Sequence, residues 1–378
     1  MKKILSFTDY YWPGYKAGGT IRAFMNQVDY LKDKFEFFIV TRDTDYTDTT
    51  PYPDIVPDQW THPEPNVHIY YVSAGARKVG LFRRLLQEAD YDVVYIHLLF
   101  GFWYSILPLV LAKIRGSKKI IVVPHGVLGR GALGVKPGRK KIFLSAMKWV
   151  GFYRRTIFHS VTDHETVDIR THIGPGTMIR EARELPRKIS SPPVRIRKKE
   201  GVLKIVTIAR ISPEKNQLFA LEILTGCTKY DIQYDLVGPV HDEGYWEKCR
   251  AAIESMPSNV KVNYRGSISS ELIMSELQQY DLMLLPTTGE NFGHTILESF
   301  MSGCPVIISD QTPWKKLAEA GIGREFPLQD KEAFRKAVEY FASLNTKDFE
   351  LFSEKAYIFA QDYCANPEML DENITLFD

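Results

Sequence analysis

The chain repeats one pattern along its length: a short, unbroken apolar run followed by a longer amphipathic segment. Unbroken apolar runs are typical of strands that are covered on both faces, as in a parallel sheet. In the first half these runs are 3–8, 36–41, 91–97, 119–124 and 156–161. Between the first two runs, 20–31 has apolar residues at helical spacing. The pattern predicts βαβ units, which form parallel sheets through right-handed crossovers.

The pattern stops at 187–201, RKISSPPVRIRKKEG, which is basic, contains a Pro-Pro pair and has few apolar residues. A stretch of this composition is typical of a linker. The pattern then restarts, with apolar runs at 203–209, 234–238, 260–264, 281–286 and 305–309. We therefore predict an N-terminal domain over 1–186, a linker over 187–201 and a C-terminal domain over 202–362. The tail, about 363–378, is free in this interpretation to pack back onto the first domain.

Length and composition limit the class of protein. A chain of 378 residues is expected to form two domains of ordinary size, and 44% hydrophobic with 25% charged residues indicates a folded globule. The net charge of +2 gives no overall attraction to nucleic acid. Four widely spaced cysteines and an N-terminal apolar stretch too short for a signal peptide predict a cytoplasmic protein.

Two strand-to-helix loops of the first half carry candidate ligand-binding residues, because ligands of parallel sheets bind at the carboxyl ends of the strands. Gly18 and Gly19 stand before Thr20, a candidate helix N-cap, where backbone amides favour an anion. His125 follows the fourth run, where an imidazole can hydrogen-bond a sugar hydroxyl or exchange a proton. A plain turn and a structural histidine are the alternative interpretations.

The first loop of the second half, IARISPEKNQ, contains two cations at the entrance to a predicted helix. Arg210 can bind a diphosphate with its forked guanidinium, and Lys215 adds a mobile point charge. Ser212 is the predicted cap of that helix, with Pro213 in its first turn. Gly238 ends the next strand and would let the backbone approach the same ligand. The alternative is a pair of solvated surface cations.

The segment GENFGHTILE places two glutamates around a Phe-Gly bend at the start of a predicted helix. Glu298 is predicted to point away from the apolar face of that helix, toward solvent or a ligand. A carboxylate accepts two hydrogen bonds at once, which matches the adjacent hydroxyls of a ribose. Glu290, before the bend, would then reach the hydroxyls of a transferred group. A single glutamate here would be explained by the helix macrodipole alone.

The order and spacing of these motifs resemble those of the family-4 retaining glycosyltransferases of GT-B fold. The motifs are Arg210-x4-Lys215, Glu290-x7-Glu298 with GENFG inside it, and GCPVI at 303–307. In the first half, the Gly18-Gly19 loop and the PHG around His125 resemble the acceptor side of the same family. The resemblance implies an α/β protein with two Rossmann-like βαβ domains that face each other across a cleft. The first would bind the acceptor and the second the nucleotide sugar.

The resemblance also implies a role for each site residue. Arg210 and Lys215 would hold the donor diphosphate, and Glu298 would hold the ribose. Glu290 would contact the donor sugar, which His125 would face from the other domain. The residues expected to be catalytic are thus Glu290, His125, Arg210 and Lys215. The expected donor-binding set is Gly18, Gly19, Arg210, Lys215, Gly238, Glu290, Asn291, Phe292, Gly293, His294, Thr295 and Glu298.

The implied reaction moves a glycosyl group from a nucleotide-diphosphate sugar to an acceptor hydroxyl, with retention at the anomeric carbon. No cofactor and no metal are expected, because cations and helix amides stabilise the leaving diphosphate. Asp43-Thr44-Asp45 spells the metal-binding signature of the other large glycosyltransferase fold, and we interpret it as a solvated loop. The stretch REARELPRKIS, 180–190, departs from the Asn-Gly turn that many family members carry where the second domain approaches.

The segment 134–158, from Gly134 to Phe158, is basic, has no acidic residue and contains interleaved aromatic residues. This composition suits an anionic membrane surface, and a solvated helix is the equally weighted alternative. Attachment to the inner face of the cell membrane is therefore one expectation for a cytoplasmic protein. The other expected partners are a nucleotide-sugar donor and a glycan or lipid-linked acceptor, as in bacterial surface polysaccharide synthesis, and no nucleic acid.

Other classes of protein stay open at this point. A sugar-nucleotide epimerase shares the GT-B architecture and releases a changed nucleotide sugar without using an acceptor. A nicotinamide oxidoreductase fits the βαβ pattern but requires a glycine-rich fingerprint that is incomplete here. A non-catalytic nucleotide-binding protein would keep Arg210 and Lys215 but has no evident need for Glu290 or His125.

Overall fold

The structure, a computed structural model, describes residues 1–129, 133, 137–188, 192–193 and 198–378. These residues form two compact units. Unit 1 comprises Met1–Leu185 and Pro367–Asp378, and unit 2 comprises Pro186–Asn366. Parts of the predicted linker 187–201 and of the basic segment 134–158 lie outside the described residues.

The described part of unit 1 contains an eight-stranded sheet in the order β3-β4-β2-β1-β5-β6-β7-β8. Its strands are β1 (Lys2–Phe7), β2 (Phe35–Arg42), β3 (Trp60–Glu64), β4 (Val67–Val72), β5 (Val93–His97), β6 (Ile120–Val123), β7 (Ile157–Ser160) and β8 (Met178–Glu181). These strands pair in parallel, except that β3 is antiparallel to β4. Since β1 lies between β2 and β5, the winding direction changes at β1.

Helices cover both faces of this sheet, so that neighbouring residues of one strand belong to different cores. Ile4 packs in one core cluster and Leu5 in the other. The helices of this part of the chain are α1 (Gly19–Leu31), α2 (Val79–Gln87), α3 (Leu107–Arg115), α4 (Pro137–Trp149) and α5 (Asp163–His172), and a π-helical turn at Phe102–Ile106 precedes α3. The predicted apolar face of α1 is buried at Phe24, Val28 and Leu31.

The described part of unit 2 contains a six-stranded parallel sheet in the order β11-β10-β9-β12-β13-β14. Its strands are β9 (Val202–Ile208), β10 (Asp231–Val237), β11 (Val260–Gly266), β12 (Leu282–Leu285), β13 (Val306–Ser309) and β14 (Gly323–Phe326). Its helices are α6 (Gln217–Thr225), α7 (Glu243–Glu254), α8 (Ile273–Leu277), α9 (His294–Met301), α10 (Leu317–Ala320), α11 (Lys331–Ser343) and α12 (Thr346–Cys364), with a 3-10 turn at Ser270–Leu272. Here too Ile205 and Val206 face opposite cores.

The chain ends in α13 (Pro367–Phe377), which packs on the sheet of unit 1. Phe377 is 1% exposed, and its ring lies against those of Phe35, Phe37 and Tyr95. Among the described helices, none combines the length and the apolar character needed to cross a bilayer.

Every apolar run predicted as a strand is a strand, whereas β3, β4, β8 and β14 were not predicted. The strands β3 and β8 lie at the edges of their sheet and are largely exposed, so their sequences lack an apolar run. The strand β14 is an edge strand as well. The strand β4 is buried, but its His68 and two tyrosines interrupt the apolar run.

Candidate functional site

The candidate site of unit 2 lies where the winding direction of its sheet changes. The strand β9 pairs with β10 on one side and with β12 on the other. Because the strands are parallel, the loops that follow β9 and β12 emerge side by side at the carboxyl edge, where ligands of such sheets bind. The first loop carries Arg210 and Lys215, and the second carries Glu290. The topology therefore brings together charged groups that are far apart in the sequence.

Hydrogen bonds hold the two loops against each other. The carbonyl of Glu214 accepts the backbone N–H of Thr288 at 2.8 Å and the hydroxyl of Thr287 at 2.9 Å. The side-chain amide of Asn216 donates to the carbonyl of Pro286 at 3.0 Å. These bonds satisfy polar groups at the strand ends, and they fix the position of the first loop relative to the second.

The helix after β9 begins later than predicted. Because α6 starts at Gln217 with Asn216 as its N-cap, Ser212 is not its cap and Pro213 is not in its first turn. The segment between forms a turn, in which the Asn216 N–H donates to the Ser212 carbonyl. The buried amide of Gln217 accepts from the Ser212 N–H at 3.3 Å and donates to the Arg210 carbonyl at 2.7 Å. A local side-chain contact of Gln217, rather than a helix cap, shapes this loop.

Lys215 and Glu290 form an ion pair at the edge of the sheet. The Lys215 Nζ lies 2.5 Å from Glu290 Oε1, and the two side chains are 17% and 12% exposed. Arg210 is more exposed, at 29%, and its Nη2 lies 3.6 Å from Glu214 Oε1. Each cation thus lies next to a carboxylate. At this edge of the sheet, a diphosphate can replace those carboxylates as the partner of the two cations.

The Phe-Gly bend is built by packing. Gly293 is the N-cap of α9 with φ +83°, and a Cβ there would lie 2.9 Å from Ile296 Cδ1. The indole N–H of Trp314 donates to the Phe292 carbonyl at 2.7 Å, and the buried Phe292 ring packs on Trp314 and Tyr363. The bend therefore presents the N-terminus of α9 to the same edge of the sheet, and the Phe292 side chain serves the core.

Three other members of the predicted donor-binding set lie at this bend. Asn291, His294 and Thr295 are all partly exposed. Among the described residues, the buried Nδ2 of Asn291 has no hydrogen-bond partner. The backbone N–H of Glu290 donates to the carbonyl of Gln311 at 3.0 Å, which ties the start of the bend to the loop after β13.

Glu298 is buried, so of the two surroundings predicted for it, solvent or a ligand, it does not face solvent. The residue is 3% exposed because α9 packs against α8 and α12 in addition to the sheet. The Nε of Arg187 lies 3.8 Å from Glu298 Oε1, and the Arg187 Nη2 donates to the Ser270 carbonyl at 2.8 Å. The helix period located the apolar face correctly, but α8 and α12 also cover the part of the helix that carries Glu298.

Gly238 is required by the packing of the protein backbone. Its φ is +143°, and a Cβ would lie 2.1 Å from the carbonyl oxygen of Ala209. The strand ends of β9 and β10 approach each other there too closely for any side chain. The residue lies beside the Arg210 loop, and its predicted role in the approach of a ligand stays a prediction.

In unit 1, the predicted glycine loop leads into α1. Gly18, with φ +84°, is the N-cap, and Gly19 is the first helical residue, so Thr20 is not the cap. The carboxylate of Asp45 accepts the backbone N–H groups of Tyr15 and Lys16, at 2.9 and 3.3 Å. This long-range contact holds the loop in place.

The same contact corrects the interpretation of Asp43-Thr44-Asp45 as a solvated loop. These residues are only 3%, 7% and 4% exposed. Burial raises the pKa of Asp43, against the opposing effect of the Arg77 and Arg42 guanidinium groups. The signature is part of the packed interior at the end of β2, and Asp45 uses its oxygens on backbone amides.

His125 lies at the carboxyl end of β6 with φ +54°. Its Nε2 is 2.9 Å from Nδ1 of His97, and its Nδ1 is 3.9 Å from Glu184 Oε1. The side chain is 5% exposed, so both ring nitrogens are directed at protein groups. Burial, aided by the adjacent imidazole of His125, holds the pKa of His97 well below its ordinary value. One ring of this pair donates and the other accepts.

The sequence interpretation missed the role of three residues of these sites. His97 ends β5, so the rule that chemistry lies at strand ends would have found it. Asp45 was noted, but its backbone partners lie about 30 positions away in the sequence. Arg187 carries no sequence signal toward Glu298, because only the fold brings the two together.

Residues 192–358, within unit 2, match the family model described as glycosyl transferases group 1. No curated protein matches the chain by sequence.

Solved structures match the whole chain. Sucrose-phosphate synthase from Thermosynechococcus elongatus has a TM-score of 0.75 at 15% identity, with 100% of this chain and 98% of that chain covered. Anabaena Alr3699/HepE in complex with UDP-glucose has a TM-score of 0.69 at 14% identity, with 100% and 99% covered. An E. coli structure, trehalose-6-phosphate bound with UDP-2-fluoro glucose, has a TM-score of 0.68 at 9% identity, with 100% and 99% covered.

The chain therefore has the fold of GT-B glycosyltransferases, as the resemblance implied. At 9–15% identity, these likenesses define the fold alone. The family match lies on the unit that carries Arg210, Lys215, Glu290 and Glu298. Fold and family match together support sugar transfer as the class of activity.

Proposed function

We propose that this chain is a retaining glycosyltransferase of the family-4 type, which moves a sugar from a nucleotide-diphosphate sugar to an acceptor hydroxyl. The observation that carries the proposal is the pairing of Lys215 with Glu290 at the point where the sheet of unit 2 changes winding direction. Arg210 lies on the same loop, and the N-terminus of α9 opens at the same edge. Cations and helix amides are the groups that stabilise a leaving diphosphate.

The donor in this proposal replaces the Lys215–Glu290 ion pair. Lys215 and Arg210 take the diphosphate, and Glu290 is released to accept hydrogen bonds from the sugar hydroxyls. Solved structures of the same fold contain UDP-glucose and UDP-2-fluoro glucose, which favours a nucleotide sugar as donor here. A leaving phosphate oxygen takes the acceptor's proton, so the reaction as proposed uses no protein nucleophile and no metal. His125 remains a proposed catalytic residue.

Turnover of the donor tests the proposal. A panel of UDP-, GDP- and ADP-sugars is screened for binding by thermal shift and then for transfer. Lys215→Ala and Glu298→Ala are expected to fold normally and to lose at least about 100-fold in transfer rate. The exposed Lys347→Ala is the control and keeps the wild-type rate. Wild-type rates in both site variants would remove this site assignment.

Product analysis separates the proposal from its alternatives. Proton NMR of the product is expected to show a glycoside with the anomeric configuration of the donor. A changed nucleotide sugar released without acceptor would identify an epimerase instead, and binding without any turnover would identify a non-catalytic protein. Activity that disappears with EDTA and returns with a divalent cation would refute metal independence.

We also propose that α4 lies on an anionic membrane face, which would place a lipid-linked acceptor, as in bacterial surface polysaccharide synthesis, near the enzyme. Ile142 and Trp149 are 72% and 89% exposed, and Val150, directly after the helix, is 57% exposed. The chain has no acidic residue between Asp92 and Asp163, so the charged residues near these apolar groups in the sequence are all cations. Exposed apolar side chains flanked by lysine and arginine are typical of interfacial helices.

Vesicle binding tests this second proposal. The protein is expected to sediment with phosphatidylglycerol vesicles at low salt, to be released as salt rises, and not to bind phosphatidylcholine. The double variant Ile142→Ala, Trp149→Ala is expected to reduce binding at least about tenfold. Ile358→Ala, at a 47% exposed apolar residue of α12 in unit 2, is the control. Equal binding of both variants would contradict the proposal.

A further inference from the structure

Arg187 lies in the stretch that departs from the Asn-Gly turn of the resembled family. It is the second residue of unit 2, and its guanidinium reaches α9. The Nε is 3.8 Å from Glu298 Oε1, and Nη2 donates to the Ser270 carbonyl at 2.8 Å. The two side chains of the ion pair are 19% and 4% exposed. A charged side chain outside the conventional motifs thus contacts the carboxylate that is proposed to hold the ribose.

The burial of Glu298 requires a nearby positive charge. An ionised carboxylate removed from water costs several kcal/mol unless an opposite charge compensates it. At 3.8 Å, the Arg187 Nε attracts the carboxylate but is beyond hydrogen-bond distance. Arg187 therefore compensates the charge of Glu298 without its Nε occupying a hydrogen-bonding position on the carboxylate.

The guanidinium is itself held in place. Its Nη2 is bonded to the carbonyl of Ser270, in the turn that follows β11. Because Arg187 is fixed at a second point, it can hold the carboxylate in one orientation rather than follow its motion. A preoriented carboxylate binds two adjacent hydroxyls better than a mobile one, because less conformational freedom is lost on binding.

We infer that Arg187 is a positioning residue for the nucleotide donor: it holds the Glu298 carboxylate in the orientation that accepts the 2′- and 3′-hydroxyls of the ribose. The inference rests on the proposed function, and it adds a residue for which the motifs provide no role. If Arg187 acts in this way, its contribution to nucleotide affinity depends on the ribose hydroxyls and on Glu298.

Nucleotide binding, measured by calorimetry, tests this dependence. UDP, GDP and ADP are each measured beside their 2′,3′-dideoxy forms, with wild type, Arg187→Ala, Arg187→Lys and Lys188→Ala. Arg187→Ala is expected to weaken binding of the preferred ribonucleotide at least about tenfold, which is the scale of one charge-assisted hydrogen bond. Its binding of the dideoxy form is expected to equal that of wild type. Arg187→Lys recovers part of the loss, and Lys188→Ala, at the exposed neighbour, loses nothing.

A second background completes the test. In a Glu298→Gln protein, adding Arg187→Ala is expected to cause no further loss of ribonucleotide affinity, since the charge to be compensated is gone. Equal losses for ribo- and dideoxynucleotides would overturn the inference, and so would unchanged affinity in Arg187→Ala. A wild-type protein that binds none of the three nucleotides would instead refute the proposed function itself. Thermal unfolding of each variant shows whether a loss of binding reflects a loss of folding.

Discussion

At Gly238 the backbone ends of two neighbouring strands almost touch. The space that a Cβ would need is occupied by the Ala209 carbonyl, directly before Arg210. The position of Arg210 in the candidate site thus depends on a residue that lacks a side chain. The motif consists of charged residues and does not indicate that a glycine is required at position 238.

Gly238→Ala is expected to lower the free energy of unfolding by about 3 kcal/mol, because the Cβ clashes with backbone and φ is unfavourable for an L residue. The matched control is Gly289→Ala, where a Cβ would meet no heavy atom within 4 Å. That variant is expected to change stability by less than about 0.5 kcal/mol. Urea denaturation compares the two, and similar stabilities would show that the backbone approach at Gly238 is relaxed.

At the scale of elements, hydrogen bonds between strands in the core favour the neutral form of a buried histidine. His159 of β7 is fully buried, and its Nδ1 is 2.8 Å from the hydroxyl of Tyr95 on β5. Its Nε2 lies 2.8 Å from the carbonyl of Ala182, which follows β8. The neutral ring donates from Nε2 and accepts at Nδ1, so both contacts are satisfied without a second proton. Burial accordingly lowers the pKa of His159 to about 4.

This lowered pKa predicts an acid sensitivity of unit 1. In the unfolded chain a histidine binds its proton near pH 6.5, whereas the folded protein resists it until about pH 4. The stabilisation is therefore complete above pH 6.5 and is lost as the pH falls toward 4, by about 3 kcal/mol in total. His159→Gln removes the titrating group, so its stability deficit relative to wild type is expected to shrink between pH 7 and pH 4.5. A constant deficit across this range, measured by urea denaturation, would contradict the assignment.

At the scale of the whole molecule, the two units differ in the number of chain segments that form them. Unit 2 is one continuous segment, whereas unit 1 needs the last residues of the chain. The terminal helix α13 is held on the sheet of unit 1 by the ion pair of its Glu372 with Arg183, at 2.6 Å, and by the core contacts of Phe377. The final helix is thus a structural part of the N-terminal unit.

Phe377→Ala is expected to destabilise unit 1 by about 3–5 kcal/mol, the usual cost of removing a buried phenylalanine. Native-state hydrogen exchange reads the units separately, through the amides of β1 for unit 1 and of β9 for unit 2. Faster exchange is expected in β1. The control Leu351→Ala, at a 54% exposed position of α12, is expected to leave β1 unchanged. Unchanged exchange of β1 in Phe377→Ala would show that α13 is dispensable for unit 1.

The sequence by itself determined the strands with unbroken apolar runs and the order in which they alternate with helices. Strands buried on both faces must be apolar throughout, so this information is local and can be read directly. The sequence also placed Arg210, Lys215 and Glu290 at strand ends, and the parallel topology alone makes such ends neighbours.

Only the tertiary structure decided what surrounds each of these residues. The burial of Glu298, the approach of Arg187, the backbone role of Gly238 and the use of Asp45 on the glycine loop all depend on packing between segments far apart in the chain. Helix periodicity indicates which face is apolar, but it contains no information on how many neighbouring elements cover the other faces. The environment of a charge is a property of the assembled fold, and therefore it could not be read from the residues that carry the motif.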